Sequence, residues 1–322
     1  MQAPEFWRRR GALSTALLPA AAGYGVVAAW RRRRTTPVKA PLPTICVGNL
    51  VAGGGGKTPL ALALAERLKA RGRAVHLLSR GYRGRLEGPV MVDPALHTFR
   101  DVGDEPLLLA AAAPTWVSRD RLAGATAAAA AGADLVLLDD GLQNPRLAYD
   151  LSLIAIDGGY GFGNGRLLPA GPLRERVEAG LERAAAAVVI GEDEAGVAAV
   201  IAGRLPILHA RLVPQNPAPW AGRRVVAFAG IARPVKFFAT LDALGAETVA
   251  RFAFADHHPY AEGELMAVLA RAAAASALAV TTEKDWHRLP PQIRAQVETL
   301  PVRLEWDDGE ALLDQLLDRV PA

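Results

Sequence analysis

A run of four glycines followed by lysine and threonine, residues 53–58, constrains this sequence more than any other feature. It follows an apolar, strand-like segment, residues 44–47, and opens a helix-like segment, residues 58–71. Glycine lets backbone N–H groups approach phosphate oxygens closely, and the start of a helix adds the positive end of its dipole. A strand, a glycine-rich loop and a helix in this order predict a phosphate-binding loop in an α/β fold.

The predicted phosphate loop has one irregularity. The usual pattern has glycine where this chain has Val51, and the preceding glycine is Gly48. In such loops the lysine reaches the β- and γ-phosphates of ATP, and the hydroxyl after it binds Mg²⁺. We therefore predict ATP and Mg²⁺ as cofactors, Lys57 as a catalytic residue and Thr58 as a metal ligand. The candidate nucleotide contacts are Val51, Ala52, Gly53, Gly54, Gly55, Gly56, Lys57 and Thr58.

Two aspartates, Asp139 and Asp140, directly follow the apolar residues 135–138. A carboxylate at the end of a buried strand is where phosphate-loop enzymes hold Mg²⁺. Two adjacent aspartates point to opposite sides of an extended chain, so only one carboxylate can face the metal directly. A turn or a helix cap is the alternative. Beside a phosphate loop, we interpret both residues as catalytic and metal-binding candidates.

Transfer of a phosphoryl group to a hydroxyl also needs a proton acceptor. Asp104 and Glu105 lie on a predicted loop just ahead of a helix, where Asp104 fits a base and a helix cap equally well. Asp256, His257 and His258 form the densest titratable group later in the chain. From the residues alone, this group fits a metal site, a His–Asp pair that tunes a base, or a surface cluster.

The order of apolar segments predicts the architecture. Strand-like runs alternate with helix-like segments, and 51% hydrophobic against 22% charged residues argues for a folded core rather than disorder. We predict an α/β fold of the P-loop NTPase kind, with a mostly parallel sheet covered by helices on both faces. A proline-rich break over residues 213–222 separates a second, smaller α/β unit. The predicted domains are 1–40, a membrane-associated helix and linker, 41–214, the phosphate-loop domain, and 215–322, the smaller domain.

Residues 11–30 carry no charge and lie between two arginine clusters, residues 8–10 and 31–34. Arginines that enclose an apolar segment favour an anionic lipid surface over nucleic acid as the partner. The segment is near the minimum length for a bilayer span, but Pro19, Gly23 and many alanines lower its hydrophobicity. It is typical of a helix that lies in the membrane interface. A span, a cleaved signal peptide and an ordinary buried helix are the alternatives.

The single cysteine, Cys46, lies in the apolar run of residues 43–50. One cysteine excludes an intramolecular disulfide and a cysteine-cluster metal site, and it fits a reducing compartment. We interpret Cys46 as a small buried hydrophobic residue.

Taken in order along the chain, these motifs resemble the tetraacyldisaccharide 4'-kinase family of Gram-negative envelopes. That family's own phosphate loop has the irregular form found around Val51. The segments that carry the resemblance are VGNLVAGGGGKTP (47–59), SRGY (79–82), VGDEP (102–106), DDGLQ (139–143), LLPAGPLRE (167–175), GIARPVKFF (230–238), FADHHPY (254–260) and TTEKD (281–285).

The resemblance implies ATP-dependent phosphorylation of the 4'-hydroxyl of a tetraacyl disaccharide 1-phosphate in lipid A biosynthesis. It implies a location at the cytoplasmic face of the bacterial inner membrane, with the N-terminal helix dipping into membrane lipid. Asp104 would be the catalytic base, and His257 would complete a dyad from the smaller domain, which closes on the nucleotide as a lid.

The resemblance also extends to supporting residues. Asp139 and Asp140 would serve Mg²⁺ and its water shell, and Glu175 would line the site. Glu105 and Gln143 are further candidates for contact with the substrate or with the catalytic groups.

The chain departs from the family pattern at two positions. Asn144 follows Gln143 where many members have histidine, so no role is inferred there. Arg83 follows the SRGY segment where a second glycine is common, which alters a backbone contact or adds a phosphate-binding charge. Two other functions stay open: a membrane-associated P-loop ATPase of the partitioning or metal-transport type, and a nucleotide-binding scaffold without turnover.

Overall fold

The computed structural model describes residues 4–216 and 220–321. It contains a nine-stranded sheet and a four-stranded sheet. The strands of the larger sheet are β1 Thr44–Gly48, β2 Val75–Ser79, β3 Val90–Met91, β4 Thr115–Val117, β5 Leu135–Asp139, β6 Leu151–Asp157, β7 Ala186–Ile190, β8 Ile207–Pro214 and β13 Val302–Trp306. Those of the smaller sheet are β9 Arg224–Ala229, β10 Glu247–Ala253, β11 Leu278–Thr281 and β12 Val297–Thr299.

The larger sheet has the order β13-β8-β7-β6-β1-β5-β2-β4-β3. Neighbouring strands are parallel except at the two edges, where β3 and β13 run antiparallel to their neighbours. The predicted mostly parallel sheet is therefore confirmed. Strand β1 pairs with β6 on one side and β5 on the other. The loop after β1 consequently leaves the middle of the sheet at its carboxyl edge, next to the end of β5, which is where open α/β sheets bind ligands.

Successive side chains of β1 pack in hydrophobic clusters on opposite faces of the sheet, because neighbouring residues of a strand point to opposite faces. Ile45 and Val47 pack with the helix after the phosphate loop, whereas Cys46 packs on the other face. Cys46 is buried and free, and burial raises the pKa of its thiol, as expected of a small core residue.

The helices are α1 Ala12–Ala16, α2 Leu18–Arg33, α3 Lys57–Ala70, α4 Phe99–Val102, α5 Asp104–Ala110, α6 Arg121–Ala130, α7 Val177–Leu181, α8 Val197–Ile201, α9 Pro234–Ala243, α10 Glu262–Ala274, α11 Glu283–Trp286, α12 Pro291–Arg294 and α13 Glu310–Asp318.

The smaller sheet has the order β10-β9-β11-β12 and all its strands are parallel. We call residues 224–299 the smaller unit. The chain then returns to the larger sheet, where β13 pairs with β8 and α13 contributes Leu313 and Leu317 to the core. Residues 302–318 therefore pack with the larger sheet, although the sequence grouped all of 215–322 together. Alternation along a strand does not tell which sheet it joins, and the three-part division stays a prediction.

The uncharged N-terminal segment forms two helices, α1 and α2, instead of one, and α2 continues through the arginines to Arg33. Arg32 in the last turn of α2 lies 2.6 Å from the carboxylate of Glu175, which ties the helix to the larger unit. Several apolar side chains of this segment stay exposed: Leu13, Val26, Val27 and Trp30. Among the residues that the structure describes, no helix combines the length and the apolar character needed to cross a membrane.

Candidate active site

The phosphate loop connects β1 to α3 through backbone conformations that favour glycine. Gly53 has φ 103°, and Gly56, immediately before α3, has φ 79°. A side chain on Gly55 would lie 2.7 Å from Nδ2 of Asn49, which itself donates to the carbonyl of Gly53. The loop therefore depends on glycine at these positions for its shape, and its backbone is left open to an anionic ligand at the start of α3.

Val51 explains why the loop departs from the usual pattern. It is 7% exposed and forms a β-bridge with Leu173. The next residue, Ala52, donates its N–H to the carbonyl of Pro172 at 2.8 Å. The first half of the loop is thus an extended segment paired with residues 172–173, a conformation that needs no glycine.

Asp139 ends β5 and contacts the first turn of α3. Thr58 Oγ1 donates to Asp139 Oδ2 at 2.9 Å, and the other oxygen, Oδ1, is buried without a hydrogen-bond partner. Burial raises the pKa of Asp139 to about 6, and the charges of Asp140 and Glu105 add to this although Lys57 opposes it. A buried carboxylate oxygen without a partner is costly unless something binds it, so this position suits a divalent cation.

Asp140 adopts a left-handed conformation, with φ 59°. The premise of an extended chain at both aspartates is therefore wrong, because the backbone turns between them. Asp140 Oδ1 accepts a hydrogen bond from Arg174 at 2.9 Å, and its Oδ2 lies 3.9 Å from Nζ of Lys57. Both aspartates consequently contact side chains of the phosphate loop or its neighbours.

Asp104 is the first residue of α5, so it lies in the helix instead of on the predicted loop ahead of it. Its carboxylate is 3% exposed, and Nδ1 of His257 lies 3.0 and 2.9 Å from its two oxygens. Arg288 Nε lies 3.1 Å from Oδ2. Burial alone would raise the pKa of Asp104, but the charge of Lys284, the hydrogen bond from His257 and the charge of Arg288 outweigh it and hold the pKa below its usual range. Asp104 is therefore a buried, ionised carboxylate.

His257 reaches Asp104 from the smaller unit through an unusual backbone conformation, with φ 56°. The ring of Tyr82 meets the imidazole edge-on, with centroids 5.4 Å apart. Arg83, which itself has φ 64°, donates to the carbonyl of His257. The segment after β2 therefore contacts the histidine, and the Arg83 guanidinium makes a hydrogen bond to the smaller unit that a glycine could not make.

Two cations of the smaller unit were missed by the sequence reasoning. Lys284 donates to Glu105 Oε1 at 2.8 Å, and Arg288 lies beside Asp104. Lys284 follows the end of β11, and a polar residue just after a parallel strand is the signal that was available. By contrast, His258 is held by Glu264 at 2.7 Å. The adjacent histidines thus have separate partners instead of sharing one metal.

Gln143 and Glu175 form a hydrogen-bonded network with the segment that precedes the phosphate loop. Gln143 Nε2 donates to the carbonyl of Asn49 at 2.7 Å and to Glu175 at 3.2 Å. Glu175 is 4% exposed and also pairs with Arg183 at 2.7 Å and Arg32 at 2.6 Å. Nearby, a cavity of about 140 Å³ is lined by α2 and by residues next to Asp140: Tyr24, Val27, Ala28, Arg31, Arg32, Gln143, Pro145 and Arg174.

The smaller unit also lies against the phosphate loop. A side chain on Gly54 would come within 3.0 Å of Cβ of Ala232. At the end of β6, Asp157 pairs with Lys236 at 2.8 Å and with Arg233 at 3.0 Å. The smaller unit therefore contacts the larger sheet and its loops at three places: the phosphate loop, the end of β6 and Asp104.

Comparison with known proteins identifies the family. The family model for tetraacyldisaccharide-1-P 4'-kinase matches residues 13–321. The curated tetraacyldisaccharide 4'-kinase of Rhodospirillum centenum is 57% identical over 324 residues, which cover 98% of this chain and 96% of the relative. That of Rhodospirillum rubrum is 54% identical over 331 residues, the whole of both chains.

A solved structure agrees with these matches. The crystal structure of the "apo" form of LpxK from Aquifex aeolicus in complex with ATP superposes with a TM-score of 0.77 at 27% identity, and the alignment covers 96% of this chain and 100% of the other. These matches favour the kinase interpretation over the ATPase alternative. Because the family model and the relatives match nearly its full length, this chain belongs to the tetraacyldisaccharide-1-P 4'-kinase family.

Proposed function

We propose that this protein transfers the γ-phosphoryl group of ATP to the 4'-hydroxyl of a tetraacyl disaccharide 1-phosphate, the reaction for which its relatives are named. The observation that carries the proposal is the buried Asp104–His257 pair beside the phosphate loop. The charge of Glu105 contributes to the raised pKa of Asp139, so these two carboxylates interact electrostatically. Transfer to a hydroxyl needs a proton acceptor near the phosphate loop.

ATP is supported by the loop and by the relative from Aquifex aeolicus, which was solved with ATP. Residues 51–56 would surround the phosphates with backbone N–H groups, and Lys57 would bind the β- and γ-phosphates. Thr58 and Asp139 fit Mg²⁺, since Asp139 Oδ1 is buried without a partner, and Asp140 would serve its water shell. When bound, Mg²⁺ neutralises charge on the phosphates.

Asp104 is the proposed proton acceptor. The 4'-oxygen forms a bond to the γ-phosphorus, the bond from that phosphorus to the bridging oxygen breaks, and ADP leaves with the bonding electrons. The hydroxyl proton goes to the carboxylate of Asp104. The lowered pKa of Asp104 keeps it ionised before the reaction, and His257 holds its orientation through Nδ1. Because His257 belongs to the smaller unit, we also propose that closure of this unit completes the site.

The acceptor would enter beside α2. The cavity there combines arginines with apolar side chains, which suits an anionic amphiphile. Leu13, Val26, Val27 and Trp30 are exposed on the same segment, between the two arginine clusters. We therefore propose that this segment docks on anionic lipid at the cytoplasmic face of the inner membrane, where the acyl chains of the substrate remain.

The test is an assay with γ-labelled ATP and tetraacyl disaccharide 1-phosphate in mixed micelles. We expect label in a lipid that carries a second phosphate, and ATP consumption that depends on the lipid. ATP hydrolysis that is independent of the lipid, with no labelled lipid, would support the ATPase alternative and reject the proposal. ATP binding without any turnover would leave the scaffold alternative.

A further inference from the structure

Lys284 approaches the Asp104–His257 pair from the smaller unit. Its ammonium donates to Glu105 at 2.8 Å and lies 3.4 Å from Nε2 of His257. It also lies 3.8 Å from Asp256. Burial lowers the pKa of this lysine, but the carboxylates of Glu105, Asp104 and Asp256 outweigh burial and raise it. Lys284 is therefore a permanent positive charge within the site.

The two ring nitrogens of His257 face opposite kinds of partner. Nδ1 lies 2.9 Å from a carboxylate oxygen of Asp104. An ionised carboxylate can only accept hydrogen bonds, so Nδ1 carries a proton. Nε2 faces the ammonium of Lys284 at 3.4 Å, and an ammonium can only donate. The contacts thus select the neutral imidazole that donates from Nδ1 and accepts at Nε2.

The other charges around His257 act on this form in both directions. Glu105 and Asp256 lie 3.5 and 3.8 Å from Nε2, and each favours a second proton there. Arg288, beside Asp104, disfavours it. Ligand-type atoms of Asp104, Glu105 and His257 lie within 4.8 Å of one another, which is the spacing of a cation site. The ammonium of Lys284 supplies positive charge at this cluster.

We propose that Lys284 is a positioning residue for phosphoryl transfer, which offsets Glu105 and Asp256 and holds His257 as the neutral tautomer that donates Nδ1–H to Asp104. The inference rests on the proposed role of Asp104 as proton acceptor. In this arrangement the neutral His257 orients the carboxylate of Asp104 through a hydrogen bond from Nδ1. The other lone pairs of Asp104 stay available to the acceptor hydroxyl. Nucleotide binding does not require Lys284.

The first test compares Lys284→Met, which keeps the length but removes the charge, with Lys284→Arg and with Lys69→Met, a change at an exposed lysine. For Lys284→Met we expect kcat to fall about 30-fold while the KM for ATP changes less than about 3-fold. Lys284→Arg should retain kcat within about 5-fold, and Lys69→Met within about 2-fold. An unchanged kcat in Lys284→Met, or an equal loss in Lys284→Arg, would overturn the inference.

The second test reads the tautomer directly and does not depend on activity. Two-bond ¹H–¹⁵N spectra of protein with ¹⁵N-labelled histidine rings identify the protonated nitrogen, and His257→Ala assigns the signal. Near pH 7 we expect the parent to have the neutral Nδ1–H form and Lys284→Met to lose it. A parent with the proton on Nε2, or a Lys284→Met protein with an unchanged tautomer, would overturn the inference. A parent that phosphorylates no lipid would reject the proposed function, while the spectra would still decide the role of Lys284.

Discussion

Asp104 and His257 are 153 residues apart in the sequence, yet a carboxylate oxygen of one lies 2.9 Å from Nδ1 of the other. They belong to different units of the fold, so the pair exists only when the smaller unit lies against the larger sheet. The closure that we propose for the smaller unit would therefore complete the pair only in the closed state and couple the proposed chemistry to that state.

His257→Ala should lower kcat about 10-fold, a smaller loss than that from removal of Asp104, because the carboxylate remains ionised through Arg288 and Lys284. The neighbouring His258 gives a matched control, since it is held by Glu264 and does not contact Asp104. His258→Ala should keep kcat within about 2-fold. Steady-state assays with the lipid acceptor measure both. Equal losses in the two variants would remove His257 from the mechanism.

Asp139→Asn should stabilise the nucleotide-free protein more at pH 8 than at pH 5. Burial raises the pKa of Asp139 to about 6 in the folded state, so its contribution to stability is present at low pH and is lost as the pH rises through that value. Between pH 5 and 8 this loss amounts to about 1 kcal/mol. Urea unfolding of parent and variant at the two pH values, without Mg²⁺ or ATP, measures it. A stability difference that does not change with pH would contradict the prediction.

Val51→Gly restores the usual loop pattern but should destabilise the protein by about 2 kcal/mol, because it removes a buried side chain and loosens an extended segment. Val38→Gly is the control, since Val38 also forms an isolated β-bridge but is 51% exposed. Its cost should stay below about 1 kcal/mol. Urea unfolding gives both values. A Val51→Gly protein that is as stable as the parent and binds ATP more tightly would show that Val51 does not stabilise the loop.

Replacing both Val26 and Val27 by aspartate should weaken binding to anionic vesicles at least about 10-fold, because these exposed side chains form part of the proposed lipid-facing surface. Val200→Asp, a change at a valine that is 51% exposed on α8, should leave binding unchanged. Binding of the parent should also weaken as salt screens the arginine clusters. Vesicle co-sedimentation measures this, with ATP affinity as the check on folding. Full binding by the double variant would place the membrane contact elsewhere.

The phosphate loop could be predicted from the sequence because its requirements are local. Strand β1, the positive φ values of Gly53 and Gly56, and the start of α3 all depend on residues within one short segment. The alternation of strands and helices likewise indicated the parallel sheet. For the same reason β1 and β5 agree to within one residue with the apolar runs predicted at 44–47 and 135–138.

Contacts between distant segments could not be predicted in this way. Lys284 reaches Glu105, and Arg288 reaches Asp104, only because the smaller unit folds against α5, and no local pattern specifies that approach. Strand β13 joins the larger sheet after the chain has left it. Asp140 turns into a left-handed conformation beside Arg174, where an extended chain had been assumed. In each case the deciding partner is remote in the sequence.

The central claim is that Asp104 accepts the proton of the lipid hydroxyl. Asp104→Asn keeps the size of the side chain but removes its charge, and single-turnover transfer of γ-labelled phosphate to the lipid can be measured beside ATP affinity. We predict that the transfer rate falls at least about 100-fold while ATP affinity stays within about 3-fold. A transfer rate close to that of the parent would contradict the account.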